Sequence, residues 1–231
     1  MDKKPTVAII LPVVNERGII RDTLKHLCSL GADEVIVVDG LSSDGTFEIV
    51  QNEFLAVRCY QTALKDRALQ MNVGVYEARS EVFLFVHADM TLPTNAVAIV
   101  REKIRQGFVG GGFKKCYSTN NWVLKIYCFL TNLFCFRISK SLVGTNAIFV
   151  KRDLFEKIGG FEQGSFMEDV VFADVLRKTG RITLIQDAVI VSPRRYKEKG
   201  VFRQIAKNAE ILFRYRFLHQ NPSSLREIYE I

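Results

Sequence analysis

Cysteine, tryptophan and proline are scarce in this chain. Its 231 residues include five cysteines, five prolines and one tryptophan. The number of cysteines is odd and no two have the CxxC spacing of metal or redox motifs: they are Cys28, Cys59, Cys116, Cys128 and Cys135. The sequence therefore argues against a disulfide framework or a zinc site, and it favours buried thiols in a reducing compartment.

An apolar leader and a long apolar run are also missing. Met1–Pro5 leads directly into an apolar segment, without the apolar stretch and cleavage site of a signal peptide. The nearest approach to a spanning helix, Trp122–Ile138, is interrupted by Lys125, Asn132 and Arg137. We therefore predict a protein without a spanning helix, located in the cytoplasm or at the inner face of the membrane.

The composition is that of an ordinary folded protein, with 48% hydrophobic and 25% charged residues. The formal net charge of +7 favours an anionic partner. A nucleotide diphosphate, a phospholipid and a nucleic acid all satisfy that preference, and the charge does not choose among them.

The first half of the chain alternates short apolar runs with helical patterns. Strands are predicted at Val7–Leu11, Glu34–Val38, Val57–Gln61 and Val82–Val86. Helices are predicted over Ile19–Leu30, Thr46–Asn52, Ala68–Ala78 and Pro93–Gln106. This order predicts an α/β fold with a mostly parallel central sheet and helices on both faces.

The second half combines shorter predicted strands with further helices. The strands are predicted at Gly110–Cys116, Ile148–Val150, Ile182–Leu184 and Val189–Val191. The helices are predicted over Asn121–Phe136, Asp153–Ile158, Asp169–Lys178 and Gly200–Leu218. Because we find no linker or repeat, we predict a single domain over residues 1–231.

Polar residues follow three predicted strands directly, at Pro12–Glu16, Asp39–Gly45 and His87–Asp89. Ligands of such sheets bind beyond the carboxyl ends of the strands. Asp39 can accept a hydrogen bond from the N–H of a base ring, and the neighbouring glycines allow close approach. A tight turn with a helix cap at Asp44 explains the same stretch equally well.

Other acidic and basic residues fit both a chemical and a structural role. On an extended segment His87 and Asp89 would point to one side and could bind Mg²⁺ or Mn²⁺, whereas a polar turn is the alternative. Glu168 and Asp169 open a predicted helix, where an ionised base is favoured, but capping acids also occur there. Arg67 could meet a phosphate or belong to a solvated charged cluster.

Taken in order, these stretches resemble the family 2 glycosyltransferases of GT-A fold. Leu11–Glu16 resembles the opening PVYNE segment of that family, and Asp39–Thr46 resembles its VDDGSSDGT segment. His87–Asp89 stands where the family has its DxD metal motif. Gly160–Phe161 followed by Glu168–Asp169 resembles its GGF…ED pair.

The chain is more closely similar to a bacterial subgroup called "rSAM/selenodomain-associated transferase 2". Asp66–Asn72 resembles the GRAxQMN-like segment of this subgroup, and Gly144–Arg152 resembles its GDQxxFVRR-like segment. The subgroup also carries HAD in place of DxD. The resemblance covers about Val7–Gly180.

The resemblance implies a metal-assisted transferase that moves a sugar from a UDP- or GDP-linked donor to an unknown hydroxyl acceptor. Donor contacts would come from Pro12, Asn15, Glu16, Asp39, Asp44, Arg67, Gln70, His87, Ala88 and Arg194. Asp89 and His87 would hold Mn²⁺ or Mg²⁺. Asp169, with Glu168 beside it, would act as general base in a direct displacement with inversion.

The resemblance also suggests how the domain is divided. Residues of about 1–110 would form the nucleotide-binding half, about 111–192 the acceptor-side half, and about 193–231 a basic amphipathic helical tail. That tail either lies on a membrane near a lipid-linked acceptor or packs on the domain with a solvated rim. A homodimer stays open, and nucleic acid is not expected as a partner.

The sequence bears on three alternatives to a glycosyltransferase. A nucleotidyltransferase would need a glycine-rich basic loop after the first strand, where this chain has the acidic Val13–Glu16. A non-catalytic module of the same fold, which binds a nucleotide or a protein, remains the main alternative. A dinucleotide-binding dehydrogenase lacks support because no GxGxxG follows a predicted strand.

Overall fold

The computed structural model describes residues 4–133, 142–222 and 224–225. Its strands are β1 (Val7–Val13), β2 (Glu34–Asp39), β3 (Arg58–Gln61), β4 (Val82–Phe85), β5 (Met90–Thr91), β6 (Gly110–Tyr117), β7 (Phe149–Lys151) and β8 (Ile182–Val191). They form one sheet in the order β3-β2-β1-β4-β7-β6-β8-β5.

The predicted helices are present in their order, and the structure has an additional helix at Arg194–Lys199 that was not predicted. They are α1 (Ile20–Ser29), α2 (Thr46–Glu53), α3 (Arg67–Glu77), α4 (Ala96–Arg105), α5 (Trp122–Leu133), α6 (Arg152–Ile158), α7 (Glu168–Thr179), α8 (Arg194–Lys199) and α9 (Val201–Phe217), with a short 3₁₀ turn at Gly144–Asn146. The predicted continuation of α5 to Phe136 lies outside the described residues. None of the described helices combines the length and apolarity that a bilayer span requires.

The sheet is parallel in its first half and mixed in its second. Strand β1 pairs in parallel with β2 and β4, and β2 pairs in parallel with β3. Strand β7 is antiparallel to both β4 and β6, so β6 again runs in the direction of β4. The carboxyl ends of β1, β2, β4 and β6 therefore lie at the same edge of the sheet, as the predicted α/β architecture requires.

Hydrophobic layers cover both faces of the sheet, and β1 shows why its sequence is apolar throughout. Val7, Ile9 and Leu11 pack into one layer, together with α1, α4 and α5. Ala8 and Ile10 pack into the other layer, together with α3, α6 and α7. Because every side chain of β1 is buried, the strand has no alternation of polar and apolar residues.

Two strands that were predicted separately in the second half form a single strand in the structure. The expected strands Ile182–Leu184 and Val189–Val191 are parts of β8, which runs without a break alongside β6. The prediction of two strands was wrong, because the exposed residues Gln186 and Asp187 continue the strand. In the structure this pair lies at a bulge, where the register between the two strands shifts.

Candidate functional site

The loops after β1 and β2 are joined by hydrogen bonds between side chains and backbone. The Asn15 N–H donates to Ser42 Oγ at 2.8 Å, and the Ser43 N–H donates to Asn15 Oδ1 at 2.8 Å. The Glu16 N–H donates to Thr46 Oγ1 at 2.9 Å. Asn15 has a φ of 55°, a left-handed conformation that asparagine tolerates. The two polar stretches are thus one surface at the carboxyl edge of the sheet.

Asp39 is fully buried at the end of β2 and keeps one oxygen without a donor. Its Oδ2 accepts from the Ser42 N–H at 2.9 Å and from Gln61 Nε2 at 3.1 Å. Its Oδ1 is buried and has no hydrogen-bond donor among the described residues. A buried carboxylate oxygen without a partner is costly, so a ligand N–H at this point would be well accommodated.

Gln70 supports the strand ends from α3. Its side-chain amide donates to Val13 O at 2.9 Å and to Val38 O at 2.7 Å, and the residue is 2% exposed. A Cβ on Gly40 would lie 2.8 Å from Val14 Cγ2 and 3.0 Å from the Gln70 side chain. These contacts explain the glycine at position 40. The predicted contact of Gln70 with the donor stays a prediction.

Asp44 and Pro12 also have structural contacts at this edge. Asp44 accepts from the Arg17 N–H at 3.0 Å and from the Thr46 N–H at 3.0 Å, so it holds the start of α2. These hydrogen bonds lower the pKa of Asp44, although burial acts in the opposite direction. Pro12 is buried within β1. Both residues stay predicted donor contacts.

The His87–Asp89 segment is the polar turn that the sequence left open as the alternative to an extended segment. The Met90 N–H donates to His87 O at 3.1 Å, which closes the turn through Ala88 and Asp89. Ala88 is buried, and its carbonyl accepts from Thr23 Oγ1 at 2.9 Å. His87 and Asp89 therefore do not share a strand face, and the turn decides where each side chain points.

Arg67 brings acidic residues from two distant segments together. Its guanidinium donates to Glu168 Oε1, and the carboxylates of Asp169 and Asp89 also act on its charge. Burial lowers the pKa of Arg67, but these three acids raise it more, so the guanidinium stays charged. Its side chain is 43% exposed, which leaves part of it open to a ligand.

Glu168 and Asp169 have different surroundings although they are adjacent. The buried carboxylate of Glu168 pairs with Arg67; burial and Asp169 raise its pKa, and Arg67 opposes them. Asp169 accepts from the Gly144 N–H through Oδ2 and from the Val170 N–H through Oδ1, the latter at 2.8 Å. Of the two acids, Asp169 is the one that is half-buried and oriented by backbone donors.

His87 and Asp169 lie on either side of Gly144. A Cβ built on this glycine would lie 2.7 Å from His87 Nε2 and 2.8 Å from Asp169 Oδ2. Burial, followed by the charges of Arg67 and Arg195, lowers the pKa of His87 to about 3. The imidazole is therefore neutral at pH 7, which is the form that binds metals.

The start of α8 adds two more arginines. Both terminal nitrogens of Arg194 lie 3.4 Å from Glu16 carboxylate oxygens, and Asp89 also contributes to its raised pKa. Arg194 remains 53% exposed. The charge of Arg195 acts on His87. Arg194 and Arg195 directly follow a predicted strand, so the sequence makes either of them a candidate to reach the diphosphate.

The metal site predicted at His87 and Asp89 stays a prediction, and it would need ligands from outside the protein. The described residues hold no group of three or more metal-ligating side chains, so they do not form a complete metal cage by themselves. Asp89 supplies a carboxylate and His87 a neutral imidazole. Mg²⁺ commonly takes one or two protein ligands and completes its shell with phosphate oxygens and water.

A second link, which the sequence analysis missed, joins α3 to the loop before α7. Asn72 Nδ2 donates to Phe161 O at 2.8 Å, and the Phe161 N–H donates to Asn72 Oδ1 at 2.9 Å. The Gly164 N–H donates to Asp66 Oδ2 at 2.6 Å. Both segments were recognised as motifs, but nothing in their sequence indicated that they contact each other.

Solved structures of low sequence identity share the fold of this chain. The chain superposes on the mannosyltransferase PcManGT from Pyrobaculum calidifontis with a TM-score of 0.73 and 18% sequence identity. The superposition covers 99% of this chain and 69% of PcManGT. The chain also superposes on residues 1–349 of S. aureus TarS, with a TM-score of 0.67 at 20% identity over 90% of this chain and 65% of that one. The fold is thus the GT-A fold, as predicted.

The sequence match is more specific than the fold. The profile of Glycosyl transferase family 2 matches residues 8–159, and the chain belongs to this family. It is 28% identical over 196 residues to the probable glycosyltransferase YdaM of Bacillus subtilis (strain 168), which covers 73% of this chain. The chain spans 46% of the length of that relative.

Proposed function

We propose that this protein transfers a sugar from a nucleoside diphosphate to a hydroxyl acceptor, with inversion at the anomeric carbon. One observation carries the proposal: Arg67 binds Glu168 and lies within electrostatic range of Asp89 and Asp169, so acids from two separate parts of the chain come together around it. The family match supports the reaction class. Among similar folds, PcManGT was solved with GDP-Man and Mn²⁺, and TarS with UDP-GlcNAc.

Asp169 is the proposed general base. Hydrogen bonds from the Gly144 and Val170 N–H groups orient its carboxylate, and Glu168 is already paired with Arg67. As the acceptor oxygen bonds to the anomeric carbon, Asp169 takes the hydroxyl proton and the bond to the diphosphate breaks. No covalent intermediate is needed, so a single base is sufficient.

The arginines are placed to offset the charge of the leaving diphosphate. Arg67 and Arg194 are both partly exposed, and both lie within the electrostatic range of Asp89. Fixed cations at this position stabilise negative charge that grows in the transition state. A divalent cation, held by Asp89 and His87, would supply further charge stabilisation when bound.

A screen of nucleotide sugars tests the proposal without knowledge of the acceptor. The protein is incubated with UDP- and GDP-linked sugars, with Mn²⁺, with Mg²⁺ or with a chelator, and the released nucleotide is measured. We expect slow hydrolysis of one donor. Absence of turnover and of nucleotide binding across the whole panel would contradict the proposal.

The Asp169→Asn variant tests the base. It keeps the size and one oxygen of the side chain but cannot take a proton, so we expect turnover to fall by roughly a hundredfold or more. Donor affinity should change little, because the base acts on the acceptor side. The matched control is Asp187→Asn, at an exposed position of the β8 bulge. Full turnover of Asp169→Asn would show that the base has been misassigned.

A non-catalytic module that only binds a nucleotide is the second candidate. It is favoured by the incomplete protein ligand set for a metal. Isothermal titration of UDP and GDP with and without Mn²⁺ separates the two candidates. A nucleotide that binds equally well with and without the ion, together with no hydrolysis, would favour the module.

The finer predictions from the resemblance remain part of this proposal. They are membership of the "rSAM/selenodomain-associated transferase 2" subgroup, a UDP- or GDP-linked donor, a lipid-linked acceptor and a homodimer. A location in the cytoplasm or at the inner face of the membrane and the absence of a nucleic-acid partner belong with them. The link between Asn72 and Phe161 gives a physical role to the GRAxQMN-like segment of the subgroup, which it joins to the GGF segment of the family.

A further inference from the structure

Helix α5 exposes a continuous apolar face. Five large side chains recur along it at intervals of three, four or one residue, so they lie on the same side of the helix. They are Trp122 (71% exposed), Ile126 (50%), Phe129 (67%), Leu130 (53%) and Leu133 (41%). A patch of this kind on a soluble domain marks a contact with a partner or a membrane.

The opposite face of α5 fixes the helix at the edge of the sheet that carries the site. Leu124 and Cys128 are buried in the core, and Asn132 Nδ2 donates to Lys115 O at 2.8 Å. Lys115 lies in the carboxyl-terminal half of β6, whose direction is that of β4. The exposed face of α5 is therefore on the part of the domain that the resemblance assigned to the acceptor.

The stretch of sequence that contains α5 is basic. Between Glu102 and Asp153 the sequence contains no acidic residue. It contains nine basic residues in that interval: Lys103, Arg105, Lys114, Lys115, Lys125, Arg137, Lys140, Lys151 and Arg152. Lys125 is exposed on α5 itself, next to Ile126.

The helices beside α5 continue both properties. The rings of Tyr127 in α5 and Tyr196 in α8 meet edge to face, with centroids 6.2 Å apart. Helices α8 and α9 carry eight basic residues against two acidic ones, Glu198 and Glu210; the basic residues are Arg194, Arg195, Lys197, Lys199, Arg203, Lys207, Arg214 and Arg216. Phe202 (74% exposed), Phe213 (53%) and Phe217 (66%) are apolar and exposed on α9.

We propose that the apolar face of α5 docks on the surface of an anionic phospholipid bilayer. Apolar side chains that enter the acyl boundary, surrounded by lysine and arginine, are the combination that holds a helix in a membrane interface. A second copy of the chain fits less well, because the contact would bring two basic surfaces together. This inference rests on the proposed function, since docking would turn the site edge toward an acceptor carried by a lipid.

Trp122 is a built-in probe for the contact, because it is the single tryptophan of the chain. Its fluorescence is recorded with vesicles of phosphatidylcholine alone and with vesicles that also contain phosphatidylglycerol. We expect a blue shift with the anionic vesicles that weakens as salt is added. No shift with anionic vesicles would overturn the proposal, and so would a shift that depends on protein concentration in the absence of lipid.

Two double variants test whether membrane binding depends on the apolar face of α5 or on exposed apolar residues anywhere on the surface. Co-sedimentation with the anionic vesicles is measured for Phe129→Ser combined with Leu130→Ser, and we expect partitioning to fall by roughly tenfold or more. The control combines Leu55→Ser with Tyr76→Ser, which are 88% and 86% exposed elsewhere. Equal partitioning of the two variants would overturn the proposal.

Hydrolysis of nucleotide sugar in solution distinguishes a failure of the membrane-docking proposal from a failure of the proposed function. The variants on α5 should retain the donor hydrolysis of the parent, because none of the substituted side chains belongs to the site. A protein that hydrolyses the donor but shows no lipid contact would overturn the docking surface alone. A protein that docks without binding or hydrolysing any donor would overturn the proposed function alone.

Discussion

At the scale of single residues, the site depends on one position where a side chain has no room. Gly144 donates its N–H to Asp169 and lies against His87. Gly144 therefore lies between the proposed base, Asp169, and the proposed metal ligand, His87. Any larger residue has to displace one or both of them.

We predict that Gly144→Ala impairs catalysis more than stability. The added methyl group would lie 2.7 Å from His87 Nε2 and 2.8 Å from Asp169 Oδ2, so both side chains must shift. Donor hydrolysis should fall by roughly tenfold or more, since small displacements of catalytic groups have large effects on rate. The matched control is Gly18→Ala, where a new Cβ would meet nothing within 4 Å. Equal hydrolysis rates for the two variants would contradict the prediction.

At the scale of elements, the side chain of Asn72 acts as a clamp between α3 and the loop that leads to α7. Its amide accepts from the Phe161 N–H and donates to Phe161 O, which imitates a pair of backbone hydrogen bonds. Phe161 packs between Phe85 and Phe172 in the core. Because α7 begins with Glu168 and Asp169, the position of this loop also affects the site.

We predict that Asn72→Ala lowers the free energy of unfolding by about 1–3 kcal/mol, because it leaves the Phe161 N–H and carbonyl without partners. Urea unfolding at neutral pH measures the change. The control is Asn52→Ala at an exposed position near the end of α2. If the two variants unfold at the same urea concentration, the clamp does not contribute to stability.

At the scale of the whole molecule, an ion pair joins α4 to the opposite edge of the sheet. Arg101 is 6% exposed and donates to Asp33 Oδ2 at 2.6 Å, while Asp33 Oδ2 also accepts from the Val7 N–H at 2.7 Å. Burial raises the pKa of Asp33, but the hydrogen bonds from Val7 and Arg101 lower it more. The net pKa therefore lies below its ordinary value.

This shift predicts how stability depends on acid. The unfolded chain takes up the Asp33 proton at a higher pH than the folded chain, so the pair stabilises the fold above the ordinary carboxyl pKa of about 4. The contribution is lost as the pH falls through the lower pKa of the folded state. Asp33→Asn should reduce stability at pH 7 and flatten its decline below about pH 4.

Thermal unfolding across this pH range measures the difference between the Asp33→Asn variant and the parent. Asp187→Asn, at an exposed position, serves as the control. An unchanged acid dependence in the Asp33 variant would show that the pair with Arg101 does not determine it.

Local patterns predicted most of the elements but not their irregularities. The apolar runs that became β1 and β2 are correctly placed, because a strand buried on both faces needs continuous apolar sequence. The bulge at Gln186 and Asp187 was not predicted, and the turn at His87–Asp89 was only one of two alternatives that the sequence left open. The bulge depends on the pairing of β8 with β6, and the turn is held by the hydrogen bond from Thr23 to the Ala88 carbonyl, 65 residues away. No window of sequence contains these contacts.

The sequence by itself determined the alternation of strands and helices and the placing of acids after strand ends, since both follow from burial and chain direction. Only the tertiary structure decided which of these residues meet. Arg67 pairs with Glu168 across 101 residues, Asn72 with Phe161 across 89, and Gly144 with Asp169 across 25. Such contacts are set by how α3, α7 and the turn at Gly144 pack around the sheet, and packing is a property of the assembled fold.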